Sequence, residues 1–244
     1  MSNLIATLAQ TVASARIVDL SPRLERGIPK WPSHPHMVID PTMTHEHDGY
    51  YCQSLVMAEH TGSHVDAPSH IHPQMMDKTI DRMPVTQLMG RAVVYHLGPL
   101  GLSAGEAVSR EDLLRYEASA GVAATIGDIV LLDFNWAPRY WTLDRQSHWY
   151  AKNEPGLDEG ATALFLERGV KAVGSDTIAC DTVLKDGVEI TAFGHQKYWL
   201  PNNIYIMEEL VNLDELPHEV YFLALGLPIH QGSGSPIRAL ALLA

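Results

Sequence analysis

The sequence predicts an α/β fold, one domain with a mixed β-sheet flanked by helices. Runs of Val, Ile and Leu at strand length are interspersed with amphipathic segments at helical spacing, and the strands outnumber the helices. Over 244 residues no repeat, low-complexity tract or Ser/Gly linker divides the chain. Residues 1–244 are therefore read as a single domain, long enough to bury a sizeable core.

Each element has its own signal. Leu4, Ile5, Leu8 and Val12 recur at helical spacing and predict a short amphipathic helix. Residues 29–41 hold four prolines and read as a structured loop. Residues 91–97 and 128–134 read as strands. Between them Ser109, followed by Asp112, resembles a capping box that starts a helix, and Gly121 would close it. Residues 158–168 read as a helix with Gly169 behind it, and 171–174 as a short strand. Residues 203–210, 219–227 and 237–243 are further expected strands.

Charge and cysteine usage narrow the function classes. Twenty-nine acidic against 17 basic residues give a net charge of −12, which a phosphate backbone repels unless a basic patch intervenes. The densest basic stretch, 139–145, is short and interleaved with aromatics, so nucleic acid is not expected as a partner. Cys52 and Cys180 are far apart and form no CxxC; each is read as a small buried hydrophobe in a reducing compartment. The first basic residue is Arg16, so a secretory n-region is lacking. No apolar run reaches the roughly 20 residues that span a bilayer. The expectation is a cytoplasmic protein with a small-molecule substrate.

Thirteen histidines occur, eight of them before Pro73, and the densest segment reads His60-Thr-Gly-Ser-His64-Val-Asp66-Ala-Pro-Ser-His70. Imidazole and carboxylate suit Zn²⁺ and also accommodate Mn²⁺; three such ligands plus water make a catalytic rather than a structural site. Gly62 and Pro68 argue against a regular helix. A straight strand would keep His60 and His64 about 13 Å apart at ~3.3 Å per residue. The segment must therefore curl, which Gly62 permits, while Pro68 stiffens the path to His70. A lone histidine is more simply a solvated side chain. Three with an aspartate and a central glycine favour a cation.

This segment resembles the HxGTHxDxPxH signature of the metal-dependent cyclase family, which includes bacterial kynurenine formamidases and isatin hydrolases. It reads HTGSHVDAPSH here, with Ser63 in place of the usual threonine. Val18-Asp-Leu-Ser21, Trp31-Pro32, Gly174-Ser-Asp-Thr177 and Gly232-Ser-Gly-Ser-Pro-Ile-Arg238 are similar to further family segments. The resemblance implies a swivelling β/β/α fold, a homodimer or homotetramer, His60, His64 and Asp66 as metal ligands, and His70 as the general acid/base. It also implies a second metal position at His195 and Glu208. Isatin-hydrolase-like members lack that glutamate and hold one manganese, so Glu208 favours a two-metal arrangement. The cofactor expected is thus Zn²⁺, one ion or two, or Mn²⁺. Periodicity does not choose between Glu208 and Glu209, since both strand faces are apolar, and a solvated Glu pair at a strand end is the plainer reading.

The chemistry expected is hydrolysis of a C–N bond in an aryl formamide or cyclic amide or imide. The cation would acidify water, and His70 would take a proton and deliver it to the leaving nitrogen. Trp31, Tyr50, Phe134 and Trp136 are candidates for an aromatic wall around a flat substrate, with Trp31 favoured by the resemblance. GSGSPIR and residues 212–217 look closer to isatin hydrolases, whereas Glu208 looks closer to formamidases. A lactonase of the same family and a non-catalytic metal-binding module are the alternatives. The GxSxG at 101–105 is read as a chance match in a loop, because Gly98-Pro99 separates Ser103 from the preceding strand.

Overall fold

The computed structural model describes residues 3–143 and 145–243, the side chains at 145–147 excepted. An eight-stranded mixed sheet organises them. Its order runs Arg16–Asp19, Gly234–Leu243, Glu219–Gly226, Met89–His96, Ile129–Asp133, Ala172–Ser175, Tyr205–Glu208, His64–Asp66. The strand Gly234–Leu243 also pairs with His64–Asp66, so the sheet closes on itself and leaves only Arg16–Asp19 outside the ring. Met89–His96, Ile129–Asp133, Ala172–Ser175 and Tyr205–Glu208 run parallel, and the remaining pairings are antiparallel. The expected α/β domain with a mixed sheet flanked by helices is what forms.

Closure follows from side-chain size along the strands. Alternate residues point to opposite faces. Ala92, Val94, Ile129, Leu131, Ala172, Met207, Ala224, Ala239 and Ala241 form one apolar cluster. Val93, Tyr95, Val130, Leu132 and Val173 belong to another, packed with Leu113, Phe165 and Trp199 under the helices. The many alanines on the first face let the strands curl around a narrow interior. Both faces are buried, which is why residues 129–132 read as an unbroken apolar run.

The helix signals hold at the level of single bonds. Ser109 and Asp112 form a reciprocal capping box for Arg110–Ala120, and Gly121 ends it at φ 69°. Asp158 caps Glu159–Arg168, and Gly169 closes it in the left-handed region. Asn3 caps the helix Leu4–Ser14, but its apolar stripe is not buried: Leu4 and Ile5 are 67% and 71% exposed.

Several expectations are corrected. The 29–41 stretch is a loop only in part, because residues 38–41 begin the strand Val38–Met43, which pairs with Cys52–Val56. Pro41 is tolerated there because this two-stranded ribbon is all edge and shifts register after it. A second ribbon, Val183–Lys185 with Val188–Thr191, and the strand Arg16–Asp19 lacked a clear signal. The last strand starts at Gly234 rather than 237, since its first residues pair with the histidine segment. Cys52 is exposed, not buried, whereas Cys180 is buried. Ser103 lies exposed in a loop, its backbone N–H donating to Glu106, with no strand-to-helix elbow around it. Among the described residues no helix is long and apolar enough to cross a membrane.

Candidate active site

The site forms where the sheet closes. The strand His64–Asp66 lies between Tyr205–Glu208 and Gly234–Leu243, and its register sets Glu208 opposite His64 and both Ile206 and Gly234 opposite Asp66. Backbone pairing thus brings a histidine and a carboxylate distant in sequence to one spot. The curl ahead of this strand is made at Gly62, whose φ is +62° and where a Cβ would lie 2.6 Å from Leu24 Cδ2. After Asp66, Pro68 opens a single 3₁₀ turn, Pro68–His70, that swings His70 back until its ring centroid is 4.1 Å from that of His60. His195 arrives on a π-helical turn, Gly194–Tyr198.

Each of His60, His64 and His195 has one ring nitrogen held from behind and the other turned toward Asp66. His64 Nδ1 donates to the Gly62 carbonyl at 2.7 Å, which leaves Nε2 at 3.5 Å from Asp66 Oδ1 and 3.2 Å from Glu208 Oε2. His195 Nδ1 is held by Asp181 Oδ1 at 2.5 Å, leaving Nε2 at 3.4 Å from Asp66 Oδ2 and 3.2 Å from Glu208 Oε1. His60 Nε2 meets Ser233 Oγ at 2.9 Å, and Nδ1 lies 2.6 Å from Asp66 Oδ1. Ser233 Oγ donates to Glu59 Oε2 at 2.7 Å, so its lone pair takes the His60 Nε2 proton. Glu59 also accepts from the Ser233 and Gly234 backbone N–H groups, which ties the histidine segment to the final strand. Gly234 has to be glycine here, because a Cβ would stand 2.5 Å from His60 Cε1.

Oriented imidazoles around carboxylates are the donor set of a transition-metal or zinc site. Two trios keep one ligand atom from each residue within 4.8 Å of the others: His60, Asp66 and His70; and His64, Asp66 and Glu208. Asp66 belongs to both. Asp66 Oδ2 and Glu208 Oε1 are buried and, although close to His195, accept no hydrogen bond. Buried carboxylate oxygens are rarely left without a partner, and a divalent cation would satisfy them. The residues present therefore fit such an ion. Ion-pair geometry also governs titration. Burial opposes charge on Asp66 and Glu208, but the surrounding histidines hold both carboxyls below their ordinary values. Burial likewise disfavours a charged His64, yet Glu208 and Asp66 raise it to about 9. Burial, together with His60 and His195, lowers His70 to about 4, so its ring is neutral at pH 7.

The four residues of the histidine segment, His60, His64, Asp66 and His70, and the two implied only by the family resemblance, His195 and Glu208, are brought together. The solvated Glu pair is not what forms: Glu208 and Glu209 are 5% and 1% exposed. A cavity of about 260 Å³ opens onto the donors and is walled by Trp31, Ile71, Ile178 and Ala192. Trp31, one of the four aromatic candidates, lies in that wall. Phe134 and Trp136 do not, since both are buried in the core under the helices, Trp136 against Tyr140 and Trp149. Tyr50 is exposed and outside the cavity lining. Sequence reasoning did not single out Asp181 or Glu59, nor give Ser233 a role, and it set Glu209 only beside Glu208. Asp181 carried no local signal, following a cysteine at φ +43° in a loop.

Comparison with known proteins agrees with this geometry. The family model described as "Putative cyclase" matches residues 18–182, more than half of the chain. The chain is 27% identical over 238 residues to an isatin hydrolase of Roseibium aggregatum, covering 93% of this chain and 86% of that protein. It is 26% identical over 228 residues to a kynurenine formamidase of Bacillus thuringiensis, covering 91% and 95%. The solved structure of isatin hydrolase A from Ralstonia solanacearum superposes with a TM-score of 0.86 at 25% identity, over 100% of this chain and 98% of that one. Sequence match, fold and the clustering of the signature histidines lead to one assignment: this chain belongs to the cyclase family of hydrolases.

Proposed function

We propose that this protein is a metal-dependent amidohydrolase that cleaves a C–N bond of an aryl formamide or cyclic amide. The observation that carries this reading is the pair of buried, unpartnered oxygens, Asp66 Oδ2 and Glu208 Oε1, beside histidines that line a cavity. The similarity to an isatin hydrolase and a kynurenine formamidase supports the bond type. His60, His64, Asp66, His195 and Glu208 would hold one divalent cation or two. A bound Zn²⁺ or Mn²⁺ supplies Lewis-acid chemistry, acidifying water and polarising a carbonyl.

The chain's own groups do the rest. Asp181, Ser233 with Glu59, and the Gly62 carbonyl keep the three imidazoles in one tautomer and orientation. His70, less buried than His60 and His64, reaches the cavity with a neutral ring. It accepts the proton of the attacking water and returns it to the departing nitrogen, which an amide requires because its anion leaves poorly. Trp31 and the aliphatic wall hold a flat ring and exclude water from the reacting carbonyl.

The test is metal analysis of purified protein, followed by turnover of isatin, formanilide and a γ-lactone before and after chelation. We expect bound metal, amide hydrolysis lost on chelation, and recovery with Zn²⁺ or Mn²⁺. Turnover indifferent to chelation would end the proposal, and lactone turnover well above amide turnover would reassign the bond.

A further inference from the structure

The cavity's wall carries a charge pattern that narrows the substrate class. Among the described residues, no lysine or arginine lines it, whereas Glu189, Glu208 and Glu209 do. Glu208 faces the histidines at the floor, and Glu209 is buried beside it with both oxygens unpartnered. Glu189 is different: it is exposed on the strand Val188–Thr191 at the rim, and its carboxylate accepts from Gln196 Nε2 at 3.1 Å. Lys185, Lys197 and Lys30, the cations near these residues in sequence, all lie outside that lining. Lys197 pairs with Glu159 at 2.5 Å. Lys30 faces a neighbouring cavity that it shares with Lys152, its ammonium donating to the Pro32 carbonyl.

We infer that the cavity selects aryl amides carrying no negative charge remote from the reacting carbonyl, and discriminates through Glu189 against those that carry a carboxylate there. The inference rests on the amidohydrolase reading and adds the charge class of its substrate. With the reacting carbonyl at the donor cluster, the far end of a substrate lies among Trp31, Ile178, Ala192 and the Glu189–Gln196 pair. A carboxylate placed there loses water, finds no counter-cation and meets Glu189. A neutral group meets Trp31 and aliphatic carbon, and an ammonium meets Glu189. A carboxylate formed at the reacting carbon lies at the other end and is not subject to this penalty.

Three para-substituted formanilides of similar size test this, bearing carboxamide, carboxylate or aminomethyl. Binding to metal-loaded protein is read by calorimetry and turnover by release of the aniline. The carboxylate should bind and turn over about tenfold worse than the other two at low salt, and Glu189→Lys should shift the carboxylate-to-ammonium ratio about tenfold toward the carboxylate. A carboxylate bound as well as the carboxamide, or a ratio unmoved by Glu189→Lys, overturns the inference while leaving amide hydrolysis intact. Binding that follows the charge order without release of aniline supports the charge selection and instead overturns the choice of bond.

Discussion

At the scale of single residues, the site is built from atoms held from behind as much as from atoms facing the cavity. Asp181 and Ser233 illustrate this: neither faces the two free carboxylate oxygens, yet each fixes a histidine that does. Loss of such an outer partner generally costs 10–100-fold in metal affinity or activity. Asp181→Asn and Ser233→Ala should accordingly weaken Zn²⁺ or Mn²⁺ binding by roughly that range, measured by competition with a chromophoric chelator. His70 is predicted to behave in the opposite way. His70→Ala should retain its metal and lose about 10²–10⁴-fold in kcat. The 4.1 Å separation of the His70 and His60 rings and His70's place in one metal-sized trio make metal content the decisive readout: if metal is lost with the side chain, His70 is a ligand.

At the scale of elements, the short strand His64–Asp66 depends on the bend in front of it. Gly62→Ala should cost at least about 1 kcal/mol, because its φ is positive and the new methyl would collide with Leu24. The loss should appear as a lower urea midpoint together with weaker metal binding. A different element contact gives a pH signature. His96, at the end of Met89–His96, meets Asp133 at 2.7 Å across to the neighbouring strand, and that carboxylate raises the imidazole above its ordinary value. A raised folded-state value means the protonated pair stabilises fully below about pH 6.5. The contribution fades as pH climbs through the raised value. Urea midpoints of the parent and His96→Gln should therefore differ most near pH 6 and converge in alkali. A difference that grows with pH would contradict the assigned ion pair.

At the scale of the whole molecule, two features stand out. The ring of strands is locked by large buried side chains on its helix-covered face, where Trp199 is fully buried and donates its indole N–H to the Thr162 carbonyl. Trp199→Ala should cost about 3–5 kcal/mol, read from chemical denaturation. The second feature lies outside the core. Leu4, Ile5, Leu8 and Val12 are all exposed, and so are Leu55 and Val56 on the ribbon. An isolated helix of this length is marginal in water, and so is a lone two-stranded ribbon. We expect the protein to run as a homodimer or homotetramer in light scattering, and removal of residues 1–14 to weaken that assembly.

What the sequence determined by itself was whatever depends on short range. The apolar strands, the Ser109 cap and the donors from His60 to His70 are local patterns, as are the glycine curl and the proline stop, so they were legible one segment at a time. Glu208 and His195 were reached only by resemblance, because their meeting with Asp66 depends on the register of Tyr205–Glu208 against His64–Asp66. The tertiary structure alone decided that Asp181, Ser233 and Glu59 stand behind the histidines, and that Phe134 and Trp136 are core rather than cavity wall. It also decided that the sheet closes through Gly234–Leu243. The physical reason is common to all of these: a side chain's neighbours across a closed sheet are set by strand order and register, and neither is encoded within any one segment.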